Sequence, residues 1–216
     1  MYCIYTFCYK KLQPFLPFCI INKKTLTAEE EEYLIGLIKI DASEFGVLFD
    51  MHYPVIFNYV FHRLGDYELS RDIASEVFLK AFINIHSFKY KGVPVLFWLY
   101  RIANNEIQQY YRRKKYSPLY FSEAINAGYH NIIQRQSDQE EKEQLEKELT
   151  AHEDFMLVQQ KLKSLPLKYQ EVIALKYFEQ KTIKEIALIK NQKEGTIKSL
   201  VSRGIDKLKN LLNVSA

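Results

Sequence analysis

From Phe45 onward the apolar residues return every three or four positions, and that spacing restricts the chain to helices. The first stripe is Phe45, Leu48, Phe49, Ile56, Tyr59 and Val60, with Pro54 inside it expected to kink or restart the helix. Leu64-Gly65-Asp66 reads as a stop, and Ser70 as the N-cap of the next helix. There Ile73, Ala74, Val77, Phe78, Ala81, Phe82 and Ile85 share one face. His86 to Pro94 is a loop. A third helix from Val95 to Arg113 aligns Leu96, Leu99, Ile102, Ala103 and Ile107. No long alternating segment occurs, so the predicted class is all-α.

The pattern lapses over 116–150 and returns near Phe155. Leu157, Val158, Leu162 and Leu165 form one helix, ended by Pro166. Tyr169 to Phe178 forms another, with Val172, Ile173 and Tyr177 inward. Two small helical domains joined by an acidic flexible linker are therefore expected. The boundaries read from the sequence are an extension over 1–39, a first domain over 40–115, a linker over 116–154 and a second domain over 155–216. The N-terminal extension is expected to be poorly ordered.

Charge follows the same division. Of 216 residues, 30 are Lys or Arg and 26 Asp or Glu, so the net charge of +4 says little by itself. Its distribution says more. Arg112 to Lys115 is a run of four cations. Residues 138–154 hold eight acids against two lysines, and residues 190–209 hold six bases against two acids. Two basic patches thus flank an acidic connector. Cys3, Cys8 and Cys19 lie in the first 20 residues without metal spacing, which fits a reducing cytoplasm. Pro14 and Pro17 break the apolar N-terminus, which is too short for a membrane span and lacks the basic start of a signal peptide.

The strongest local motif is Thr182 to Ser199. Thr182-x-x-Glu185 is a capping box that opens a short helix, followed by a polar turn and a longer basic helix. Ala187 is small where the two helices meet, and Ile186, Ile197 and Val201 can bury between them. That is a helix-turn-helix, whose second helix enters the major groove by its N-terminal end. A plain helical hairpin with a solvated basic face fits the same residues. Phe97, Trp98, Tyr100, Tyr110 and Tyr111 beside Arg112 and Arg113 suit unpaired bases and phosphates. They also suit a core stripe with cations at a helix C-terminus. Asp72 and Glu76 read as a solvated or partner-facing pair, since no catalytic constellation accompanies them. No catalytic residue, metal site or cofactor is expected.

The order of these pieces resembles the extracytoplasmic-function sigma factors of the sigma-70 family. In the first domain the matching text is Leu64-Gly-Asp, Ser70 to Phe82, Phe97-Trp-Leu-Tyr-Arg-Ile-Ala-Asn-Asn105 and Tyr110 to Arg113. In the second it is Leu165-Pro, Tyr169 to Leu175, Lys184 to Ala187, Glu194 to Ser199 and Ser202-Arg203. The resemblance implies a promoter-directing subunit of RNA polymerase, cytoplasmic and not an enzyme in its own right. The implied partners are core polymerase (clamp helices and flap), promoter DNA and an anti-sigma factor, with no integral membrane association. It places Asp72, Ser75, Glu76, Phe78 and Leu79 against core polymerase. Phe88, Lys89, Tyr90, Lys91, Arg101, Asn104, Asn105, Arg112 and Arg113 fall to the melted −10 element and its backbone. Lys193, Glu194, Thr196, Lys198, Ser199 and Arg203 fall to the −35 duplex.

Several positions depart from the family's usual residues. Ser75 stands for a common Gln, Asn104 for a common Arg, Gln109 for a common Asp and Leu200 for a common Arg. Lys190 and Gln192 occupy turn positions that are usually apolar. A different regulator sharing only the helix-turn-helix, or a helical scaffold without a DNA role, would share parts of this pattern. Run-off transcription with core polymerase separates the three.

Overall fold

The computed structural model describes residues 26–116 and 155–213. The extension over 1–25, the three cysteines and the acidic connector over 117–154 lie outside the described residues. Every regular element among the described residues is helical.

The first domain begins earlier than the apolar stripe. Helix α1 spans Ala28–Ile40. Thr27 Oγ1 accepts the Glu30 amide and the Glu30 carboxylate accepts the Thr27 amide, a complete capping box. Ile35 and Ile38 bury its inner face. Residues 28–39, read from the sequence as part of an extension, thus form a capped helix. Glu29, Glu30 and Glu31 fall in its first turn, where acids stabilise the exposed amides.

Helix α2, Phe45–Leu64, runs unbroken through Pro54 rather than restarting there. Gly65 ends it in the left-handed conformation (φ 60°), its amide donating to Phe61 O at 2.7 Å. Helix α3, Tyr67–Asn84, is capped by Asp66, whose side chain accepts the Leu69 amide at 2.9 Å. Ser70 is not the cap. It is buried one turn inside, with Oγ donating to Asp66 O. After a short turn at Ile85–Ser87 and the 88–94 loop, helix α4 spans Val95–Tyr116. Leu48, Ile56, Tyr59, Val60, Val77, Leu99 and Ile107 are wholly shielded where α2, α3 and α4 meet.

In the second domain helix α5 is described over 155–163. Helix α6, Leu167–Ile173, widens into a π-helical turn at Ala174–Phe178. Helix α7, Ile183–Lys190, has the expected Thr182–Glu185 capping box and ends at Asn191 in the left-handed conformation. Helix α8 spans Glu194–Asn213. Its buried seam is Ile197, Val201, Gly204 and Leu208. A side chain at Gly204 would come within 3.0 Å of Ile173, so this glycine sets how closely α8 approaches α6.

The two domains share a core. One buried cluster runs from Tyr59, Leu99 and Tyr100 into Val172, Leu175, Ile186 and Ile197. Gln159 Nε2 donates to Phe61 O at 2.8 Å across the junction. Tyr100 OH donates to the Glu179 carboxylate at 2.9 Å, and burial pushes that phenol well above its ordinary range. The His62 ring stacks on Phe178 with centroids 4.6 Å apart.

Candidate nucleic-acid interface

The aromatic and basic residues singled out in the first domain converge where the 88–94 loop meets α4. An open cleft of about 640 Å³ is lined by Phe88, Lys89, Lys91, Trp98, Asn105 and Gln109, among others. Phe88 lies on Trp98 with ring centroids 4.5 Å apart. Trp98 is thus half-buried: one side packs on the core and the other borders the cleft. Gly92 (φ 65°) lets the loop turn back toward α4. Lys80 rises from the cleft floor and donates to the buried Glu106 at 2.6 Å. That bond raises the lysine's affinity for its proton. Lys89, Lys91, Asn105, Arg112 and Arg113 are exposed. Aromatic faces beside cations are what unpaired bases and their phosphates require.

Two expected members of this set make further bonds, although Arg101 also borders the cleft. Arg101 donates from Nε to Ile189 O at 2.7 Å and from Nη2 to Leu188 O at 2.6 Å. It therefore holds the C-terminal carbonyls of α7, which a helix end leaves without intrahelical partners. Asn104 accepts from Arg63 Nη1 at 2.9 Å. Arg63 is wholly buried and also donates to Tyr59 OH.

In the second domain Lys193, just ahead of α8, and Glu194, Thr196, Lys198, Ser199 and Arg203, on its first three turns, are all exposed. The helices behind them are fixed by Ile186, Ala187, Ile197 and Val201, each buried. Lys190 does not loosen this packing. Its ammonium pairs with the buried Glu171, so the polar turn residue is matched by a carboxylate from α6.

On α3, Asp72, Ser75 and Leu79 are exposed, Leu79 by 52%, and Glu76 is half-exposed beside Lys80. Phe78 is only 2% exposed and packs on Phe49 and Tyr53. It belongs to the core stripe and not to the α3 surface, since a residue following Ala74 by one helical turn points the same way.

Sequence reasoning missed Glu31 and Lys39 of α1. Lys39 Nζ donates to Phe88 O at 2.6 Å, and the Glu31 carboxylate accepts the Val95 amide at 3.2 Å. The Thr27-x-x-Glu30 capping box ahead of Leu34, Ile35 and Ile38 was the available signal for the helix that carries them.

Comparison with known proteins assigns the two domains. Residues 48–116 match the family model for Sigma-70 region 2, and residues 155–208 that for Sigma-70, region 4. The ECF RNA polymerase sigma factor SigW of Bacillus subtilis (strain 168) is 33% identical over 174 residues, which is 81% of this chain and 91% of the relative. SigM of the same strain is 26% identical over 166 residues, covering 77% and 93%. Among solved structures, CnrH in complex with the cytosolic domain of CnrY has a similar fold. Its TM-score is 0.57 at 18% identity, with 85% of this chain and 97% of that one covered. The sigma factor RpoE in complex with the anti-sigma factor NepR from Bartonella quintana gives 0.56 at 21%, covering 80% and 99%.

Proposed function

The chain belongs to the sigma-70 family as an RNA polymerase sigma factor of the extracytoplasmic-function type, and from that premise we propose which of its surfaces perform each step of initiation. The chain binds core polymerase, directs it to promoters and promotes strand opening. The exposed part of α3, Asp72, Ser75, Glu76 and Leu79, meets the polymerase clamp. The cleft between the 88–94 loop and α4 receives an unpaired −10 base on Phe88 and Trp98, with Lys89, Tyr90, Lys91 and Asn105 around it. Arg112 and Arg113 contact the strand's backbone. The N-terminal turns of α8 and the residue ahead of them read the −35 duplex through Lys193, Thr196, Lys198, Ser199 and Arg203, with Glu194 at the helix start. Arg101 offers DNA its Nη1 edge at the cleft while Nε and Nη2 hold the α7 carbonyls. The protein acts in the cytoplasm with its polymerase, has no reaction of its own, and is held in check by an anti-sigma factor.

The observation that carries this reading is the cleft itself, with aromatic rings and cations at one mouth in the same chain as an exposed basic recognition helix. Run-off transcription with core polymerase tests it. The chain should give promoter-specific transcripts, and Asn105→Ala or a shortened 88–94 loop should leave core binding intact while impairing opening. A promoter premelted over the −10 element should restore the loop variant. Normal permanganate reactivity of that variant on fully paired promoter would refute the role given to the loop.

A further inference from the structure

Helix α1 holds the 88–94 loop at both ends. At the near end Lys39 Nζ donates to the Phe88 carbonyl at 2.6 Å. At the far end Glu31 Oε2 accepts the Val95 amide at 3.2 Å and the Tyr90 hydroxyl at 3.4 Å. The two side chains are eight residues apart, about 12 Å along the helix axis, so they straddle the loop. Ile35 and Ile38 bury the inner face of α1 independently of these contacts.

Glu31 is an expensive residue for a purely structural task. It is only 8% exposed, and burial pushes its carboxyl above the ordinary carboxylate range. An apolar side chain would fill the same space without desolvating a charge. What a carboxylate adds is direction: two acceptor bonds aimed at the first amide of α4 and at a tyrosine within the loop. Val95 begins the helix that carries Trp98, and Phe88 rests on Trp98. Fixing the ends of the loop therefore fixes the spacing of the two rings at the mouth of the cleft.

We propose that Glu31 and Lys39 are positioning residues for promoter opening, setting the 88–94 loop in the shape that captures an unpaired base. The inference rests on the reading of that loop given above. Its chemistry is preorganisation: a loop already in its capturing shape does not have to be ordered while the duplex is being unstacked.

Trp98 is the only tryptophan of the chain and serves as a built-in probe. In the free full-length protein, Glu31→Ala and Lys39→Met should each make Trp98 more accessible to acrylamide. Glu31→Gln, which keeps one acceptor oxygen, should fall between Glu31→Ala and the parent. With core polymerase, both Glu31→Ala and Lys39→Met should lower open-complex formation on a fully paired promoter, for Glu31→Ala on the order of tenfold. A mismatched −10 bubble should restore both, and affinity for core should not change. Phe88→Ala is the control for the loop reading. Normal opening and normal quenching in the Glu31 and Lys39 variants, with Phe88→Ala impaired, would overturn the inference and leave the loop reading standing. Normal opening in all three would overturn both. An equal loss on paired and premelted DNA would reduce Glu31 to a structural role and overturn the inference as well. If Glu31→Ala fails to fold, Lys39→Met at its half-buried position decides the question alone.

Discussion

Gly65→Ala is the substitution whose cost follows most directly from the geometry. Gly65 ends α2 at φ 60°, a conformation that costs an L-residue roughly 1–2 kcal/mol. It also sits at the junction of the two domains. An added Cβ would stand 2.4 Å from Lys163 Nζ and 2.7 Å from Gln159 Oε1. The lysine tip swings away at little cost. Gln159 is 1% exposed and donates to Phe61 O at 2.8 Å, so displacing it breaks a buried bond. Such a bond contributes about 0.5–1.5 kcal/mol. The combined loss is roughly 1.5–3.5 kcal/mol. Urea denaturation followed by Trp98 fluorescence should show it as a lower midpoint with an unchanged slope. In a Gln159→Ala background only the backbone part should remain, and Gly65→Asn should recover some of that part, since Asn tolerates the left-handed region. A Gly65→Ala protein within about 0.5 kcal/mol of the parent would refute the argument. Equal losses in both backgrounds would refute its contact half.

Other outcomes follow from single residues. Arg63 is fully buried, and among the described residues its Nε and Nη2 have no hydrogen-bond partner while Nη1 donates to Tyr59 and Asn104, so in Arg63→Met the relief of a desolvated cation and the loss of those bonds should nearly offset, within about 1 kcal/mol; a loss of about 3 kcal/mol or more in thermal unfolding would contradict this. Burial lowers the His52 pKa to about 4. The unfolded chain then binds the extra proton first as pH falls, so His52's contribution is full above its ordinary value near 6.5 and is lost down to about 4. Acid titration of stability should show a loss of about 3 kcal/mol across that window, and His52→Leu should remove that dependence. Arg203→Ala should weaken promoter use by about 1–3 kcal/mol if the side chain reads a base, and unchanged dependence on the −35 sequence would exclude it from readout. Leu79→Glu should lower core affinity on the order of tenfold with unaltered helicity, and unchanged affinity would remove Leu79 from the polymerase face.

How much of this was legible depended on how local the signal was. The stripes of α2, α3 and α4 and the Thr182–Glu185 box involve residues three or four apart, and they stand where the spacing put them. Asp66 displaced Ser70 as a cap because both have capping chemistry, and only the backbone decides between them. Phe78 shared its position with both a core stripe and a proposed partner face, and burial settled it. The engagements of Glu31, Lys39 and Arg101 link residues 49 to 88 positions apart, and no periodicity encodes such pairs. Lys190 looked like a misfit until Glu171 supplied its counter-charge from another helix.

Arg101 has one guanidinium and two claims upon it. While its Nε and Nη2 hold the Ile189 and Leu188 carbonyls, a ligand that needs those same donors must draw on the fraction of molecules in which that grip has been released. The apparent affinity of such a ligand is the intrinsic one multiplied by that fraction. Each 1.4 kcal/mol by which the junction favours the packed arrangement therefore weakens apparent binding about tenfold. Changes at the junction residues Gln159, Glu179 or Gly65 would then tune promoter occupancy as a thermodynamic setting of the whole chain.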